Sequence, residues 1–200
     1  MIGSLLAQSW NSQVADWNLY YDNKTGKLSS ILMRPNSIFI YYFFRNLGSD
    51  IFYALWNILF LFIFILIFHN YITYTLLTNL LFLFFLMILA RAIVYFYQII
   101  CGSITFWSTE GGGIFRTASF ILNFCSGSIF PLDLIDETKF LKFNPFAWCF
   151  YHPMQIYLGK YSNLEIFYVF LGGLAWCVAL YFLAKLVFKL GLKRNEAVGL

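Results

Sequence analysis

Charge is what this 200-residue chain has least of: Asp, Glu, Lys and Arg together make up 11% of it, while 61% is hydrophobic. Soluble domains carry about 25% charged residues, so lipid rather than water is the solvent for most of the sequence. The sequence also has no G-x-x-x-x-G-K-[ST] segment, and therefore no Walker A loop whose backbone donors could cradle phosphates. Gly111-Gly112-Gly113 is no substitute; it reads as a chain break between two helices at the membrane surface. Paired carboxylates, a nucleophile elbow and H-E-x-x-H are all missing, which leaves an intramembrane enzyme without residues to carry it. Cys101, Cys125, Cys149 and Cys177 stand singly, with no C-x-x-C and only His69 and His152 as imidazoles, so they read as free buried thiols. No zinc, haem or other cofactor is expected from such a set. The N-terminus has no basic stretch ahead of an apolar one, so insertion relies on the spans themselves.

What is present is aromatic bulk, 25 Phe and 14 Tyr, suited to a lipid-facing surface and to belts at the headgroup level. The net charge is +4, but the basic residues sit in short clusters beside apolar runs. Clusters so placed orient a membrane protein and do not make a nucleic-acid surface.

Leu6, Trp10, Val14, Trp17 and Tyr21 recur at helical spacing and predict an amphipathic helix over 1–21, lying in the membrane interface or packed beneath a bundle. Residues 22–45 form a basic segment, with Lys24, Lys27, Arg34 and Arg45 against Asp22. Within it Gly26 and Pro35 bracket a short apolar piece, 28–33, long enough for one or two helical turns. Apolar runs predict membrane helices at 51–68, 74–107, 114–130 and 166–188, joined by an outer loop at 131–165 and followed by a tail at 189–200. The run from Tyr71 to Trp107 could be one helix or two meeting at Arg91, and charge decides for one. Four spans place the basic 22–45 segment on the same side as the tail, where Lys185, Lys189, Lys193 and Arg194 outweigh Glu196, and that side is cytoplasmic by the positive-inside rule. The outer loop holds Pro131, Pro145 and Pro153 yet is crowded with Phe, Trp, Tyr and Leu, which suits re-entrant helices better than a solvated loop. The fold class is thus an all-α integral membrane protein of about four transmembrane helices, an N-terminal amphipathic helix and re-entrant outer helices.

In order and spacing these residues resemble the membrane subunits of type-2 ATP-binding-cassette exporters, the small bacterial permeases that pair with a separate ATPase. The likeness is carried by Gly26, Leu28, Leu32 and Pro35, by Phe106-Trp107 with Glu110, and by Ser126-Gly127 before Pro131-Leu132. It continues through Asn144-Pro145-Phe146, Pro153 with Tyr157-Leu158-Gly159-Lys160, and Leu192-Lys193-Arg194 with Glu196-Ala197-Val198-Gly199. The resemblance implies six helices per subunit, both ends in the cytoplasm of a bacterium whose plasma membrane the protein spans, a second permease subunit and a cytoplasmic ATP-binding subunit. Against that pattern the chain starts late, without the family's first two spans, and has Asn195 where an aromatic is usual.

The implied ATPase-coupling residues are Lys24, Leu28, Ile31, Leu32, Arg34 and Pro35, with Leu28, Ile31 and Leu32 as the docking face. Lys24, Arg34 and Arg45 would pair with an acidic groove on the ATPase, or hold the segment inside by charge and bind anionic lipid. Arg91, Asn123, Ser126 and Gly127 are the candidate transport path; Arg91 is a deep charge that must face protein or water, or else snorkel. Gly172-Gly173, Ala175 and Ala179 form a small-residue strip for internal packing or a dimer seam. Two other classes fit the composition. One is a structural or assembly membrane protein that moves nothing; the other is a channel, for which Asn57, Thr78, Asn79, Arg91 and Asn123 make no continuous polar stripe.

Overall fold

The computed structural model describes residues 14–68, 77–108, 111–135 and 141–197, and every regular element among them is helical. The first 13 residues, with Leu6 and Trp10 of the expected amphipathic stripe, lie outside the described ones. In chain order the helices are α1 (Val14–Lys24), α2 (Lys27–Leu32), α3 (Ile38–Phe68), α4 (Leu77–Ile104), α5 (Gly111–Ser126), α6 (Leu132–Ile135), α7 (Tyr151–Tyr157) and α8 (Asn163–Ala197). Two tight 3-10 turns, Leu141–Phe143 and Pro145–Cys149, precede α7.

Among the described residues two stretches are long and apolar enough to cross a bilayer, Phe82–Ile104 in α4 and Asn163–Arg194 in α8. Arg91 does not interrupt α4, which runs through it without a break. The apolar 51–68 run is the second half of a helix that already begins at Ile38, so the basic segment and the span share one rod. With 16 residues, α5 reaches about 24 Å at 1.5 Å per residue, short of a bilayer core of about 30 Å. The tail is no separate element: α8 continues through Lys185, Lys189, Lys193 and Arg194.

The start of α8 has a capping box, Ser162-x-x-Glu165. The Ser162 amide and hydroxyl donate to the Glu165 carboxylate at 2.7 and 2.9 Å, and the Glu165 amide donates weakly back to the Ser162 hydroxyl at 3.4 Å. Glu165 therefore closes a helix end rather than adding a free charge to the outer loop.

The axis of the molecule is α4, which packs most extensively on α8. Leu89 lies beside Gly173 and accepts from the Cys177 thiol, Phe96 meets Tyr181, and Phe106 rests on Phe188 and Gly191. The numbers rise together, so α4 and α8 run parallel and their C-terminal ends share a side. Two large cores are strung along α4, beside a small cluster of Cys101 with Phe115 and Ala118 of α5. One joins Leu83, Leu86, Leu89 and Ile93 to Leu132, Trp148, Tyr151, Ile156 and Leu180. The other, at the opposite end, joins Tyr95, Ile99 and Phe106 to Leu19, Leu28, Tyr42, Ala184 and Phe188. The second core seats α1, α2 and the start of α3 at the same end as the basic turns of α8.

Candidate functional site

Between α1 and α2 stand only Thr25 and Gly26, and α2 ends where Pro35 disfavours helix in the residue before it. The Ser29 and Ser30 hydroxyls fold back onto the carbonyls of Gly26 and Lys27, both at 2.7 Å, so this short helix presents little free polar surface. Its apolar residues divide by face. Leu28 and Ile31 are 2% and 5% exposed, and Leu28 belongs to the second core, whereas Leu32 is 43% and Met33 82% exposed. The docking face expected from Leu28, Ile31 and Leu32 is therefore rearranged: two of the three anchor the helix to its own bundle, and Leu32 with Met33 forms the outward apolar pair. Lys24, Lys27, Arg34 and Pro35 are exposed around it. Lys24 donates to the Tyr20 hydroxyl at 3.3 Å, and Arg34 lies over the Tyr41 ring at 5.3 Å.

Arg45, its side chain 34% exposed, reaches from the surface to a carboxylate of its own subunit. Its guanidinium donates to the Asp22 carboxylate, a group 1% exposed that also accepts from the Tyr42 hydroxyl at 3.1 Å. One turn away the Asn18 amide donates to Asn46 at 2.5 Å. The polar face of α1 thus packs on α3, and Trp17 and Tyr21, of the apolar stripe expected in the membrane interface or beneath a bundle, are exposed. The reason is that Asp22 loses far less by burial when two donors meet it than it would unpaired, and Leu19, on the same side of α1, brings the apolar contact.

Arg91 is 7% exposed midway along α4, within electrostatic reach of Tyr95 and Cys149. Asn123, Ser126 and Gly127 form the turn that ends α5: the hydroxyls of Ser126 and Ser128 donate to the Asn123 carbonyl at 3.0 and 2.9 Å. Gly127 has φ +84°, with the Leu132 side chain where a Cβ would lie. Between α4 and α5 runs an open apolar groove of about 460 Å³, lined among others by Tyr97, Cys101, Ile104, Gly113, Thr117 and Ile121.

The sequence matches the ABC-2 family transporter proteins over residues 17–199. The chain belongs to that family. Neither a curated protein nor a solved structure matches it. Membership in the ABC-2 family, together with the apolar helices, makes the protein a multi-pass membrane protein and a permease subunit of an ABC transporter, and it implies an ATP-binding partner subunit.

At the end of this ABC-2 subunit opposite α2, the loop before α8 is a packed cap with its own polar centre. Asp133 accepts from Lys142 at 2.7 Å, from the Tyr151 hydroxyl at 2.7 Å and from Gln155 at 2.9 Å. The Lys142 contact, first among these, holds the Asp133 carboxyl below the usual range. His152 bonds Tyr161 and the Lys142 carbonyl, each at 3.0 Å, and burial lowers its imidazole to about 4. Asn144 starts the second 3-10 turn, accepting from the amides of Phe146 and Ala147 and donating to the Cys125 carbonyl at 2.9 Å, which ties the cap to the end of α5. Trp148 packs closely against Gly172 and Gly173 and donates to the Val169 carbonyl at 2.7 Å. The small-residue strip of α8 receives this ring. Sequence reasoning missed the Asp133 centre because its partners lie 9 to 22 residues away; the Asn-Pro pair at 144–145 was the one local signal of a turn start.

Proposed function

We propose that the protein is the membrane half of an exporter, in which a separate cytoplasmic ATP-binding subunit docks on the segment from Lys24 to Asn36 and drives alternating access along a path between two permease subunits. The observation that carries this reading is the division of α2. A helix held by Leu28 and Ile31 and showing Leu32, Met33 and a ring of cations suits capture in a partner groove, because the partner meets a rigid, rooted projection. Its position beside the basic end of α8 favours a cytoplasmic location for both, with the C-terminus inside a bacterial plasma membrane. The path is proposed to follow α4 and α5, using Arg91, Asn123, Ser126 and Gly127, with the groove between these helices as an apolar recess beside it. ATP hydrolysis belongs to the partner, and this subunit acts by changing shape.

The test is affinity purification from the native membrane with identification of the proteins recovered. An ATP-binding subunit is expected, and Leu32→Glu with Met33→Glu should abolish its recovery while the permease stays folded. Folded wild-type chain that never brings down an ATPase would overturn the proposal in favour of a structural or assembly protein.

A further inference from the structure

Asp22 and Tyr42 are buried and Arg45, its side chain 34% exposed, closes over them from the surface; all three stand away from the outward pair of α2, so the docking reading leaves them without a role. Their arrangement is regular. Asn18 and Asp22 stand four apart on one face of α1, and Tyr42, Arg45 and Asn46 share one face of α3. They make two polar rungs one helical turn apart, set beside Leu19 and Leu28 of the second core. Apolar contact resists separation but has no direction, and packed helices held by it alone can slide. Hydrogen bonds to an ionised group in a low-dielectric setting are directional and fix a single register. Since α2 follows α1 after two residues, whatever fixes α1 to α3 fixes α2 as well.

We propose that the rungs Asn18–Asn46 and Asp22–Tyr42–Arg45 form a locking seam that makes α1, α2 and the first turns of α3 one rigid lever, so that a load on α2 is delivered to the apolar half of α3. These are positioning residues. The use of the lever rests on the docking reading above, whereas the lock itself does not.

An ion pair kept for stability alone, here with a buried carboxylate and a part-exposed guanidinium, can be exchanged for apolar side chains of similar volume with little loss, and that separates a lock from a mere prop. Hydrogen-exchange mass spectrometry on the full chain with its ATP-binding subunit, comparing ADP with ATP plus orthovanadate, reads both. Wild type should respond in residues 14–36 and 38–50 together, and Arg45→Lys, which keeps the charge, should do the same. The double variant Asp22→Leu/Arg45→Met should fold and still recover the ATPase, yet confine the response to 14–36. With no nucleotide its α1 amides should exchange on the order of tenfold faster, the factor expected from losing a hydrogen bond to a charged group. Tyr42→Phe, which removes one donor, supplies an intermediate case if the double variant does not fold. A double or Tyr42→Phe variant that transmits as wild type does would overturn the lever. If no ATPase is recovered with wild type, the docking reading has failed rather than the seam, and the nucleotide-free comparison decides the lock: α1 exchange equal to wild type in the variants refutes it.

Discussion

A single ring, Trp148, shows how much one residue decides in this fold. A Cβ on Gly173 would lie 2.8 Å from the indole nitrogen, and one on Gly172 would lie 2.7 Å from the far edge of the ring. The same nitrogen is bonded to the Val169 carbonyl, so an added methyl must move the ring and break that bond. Gly173→Ala should therefore destabilise by about 1–3 kcal/mol, the usual cost of overpacking, lowering the melting temperature in detergent. Gly112→Ala, with open space at its Cβ, should leave the melting temperature level or slightly raised. The strip of small residues was visible in the sequence, but its occupant was not, because Trp148 is more than 20 residues distant and arrives through the fold of the cap.

The ring one turn further on sets a pH dependence. His152 meets Trp148 at a tilt, ring centroids 4.5 Å apart, and its buried imidazole holds a proton only below about 4, against an ordinary value of 6.5. The unfolded chain takes up that proton first as pH falls, so the stability contributed by neutral His152 is fully present above about 6.5 and is lost progressively toward 4. The lowered Asp133 carboxyl acts in the same direction only at more acid pH, below the ordinary 3.8. Melting in detergent should fall between pH 7 and pH 5, and His152→Gln should flatten that slope.

At the scale of the element, α2 has two faces with two jobs, and substitution should separate them. Leu28→Ala opens a cavity in the second core and should cost about 2–5 kcal/mol, seen as a lower melting temperature whether or not a partner is present. Met33→Glu touches nothing buried and should stay within about 0.5 kcal/mol of wild type, yet weaken recovery of the ATP-binding subunit. The bracketing Gly26 and Pro35 made the position of this helix legible in the sequence. Its rotation was not legible, because a six-residue helix has too few apolar positions to define a stripe. In α1 the periodicity marks Trp17 and Tyr21 as apolar but does not say whether they meet lipid or protein, and it gives no sign that Asp22 will find Tyr42 and Arg45 as partners.

At the scale of the whole molecule, the parallel run of α4 and α8 sorts the ends of the helices. The α2 end and the basic turns of α8 lie together, and the cap with Lys160 lies at the other pole. A membrane-impermeant maleimide should label Lys160→Cys in intact cells, but Ser30→Cys and Lys193→Cys only after permeabilisation. Labelling of all three from one side would contradict the proposed orientation. The native thiols, buried or half-buried, should give little background.

The sequence by itself determined the solvent, the helical class and the family: 61% hydrophobic residues with 11% charge call for lipid, uninterrupted apolar runs such as 51–68 call for helices that satisfy their own backbone, and the order of short motifs carried the family resemblance. Tertiary structure alone decided which partner each of these residues meets. Asp22 with Arg45, Asp133 with Lys142, and Trp148 on Gly172–Gly173 are pairings across 9 to 25 residues. A charge or a glycine looks the same along the chain whether it meets lipid, water or a partner, and only the packing of α1, α3 and the outer cap against α4 and α8 supplies the directed donors that meet Asp22 and Asp133 and the low-dielectric surroundings in which Asp22 is buried.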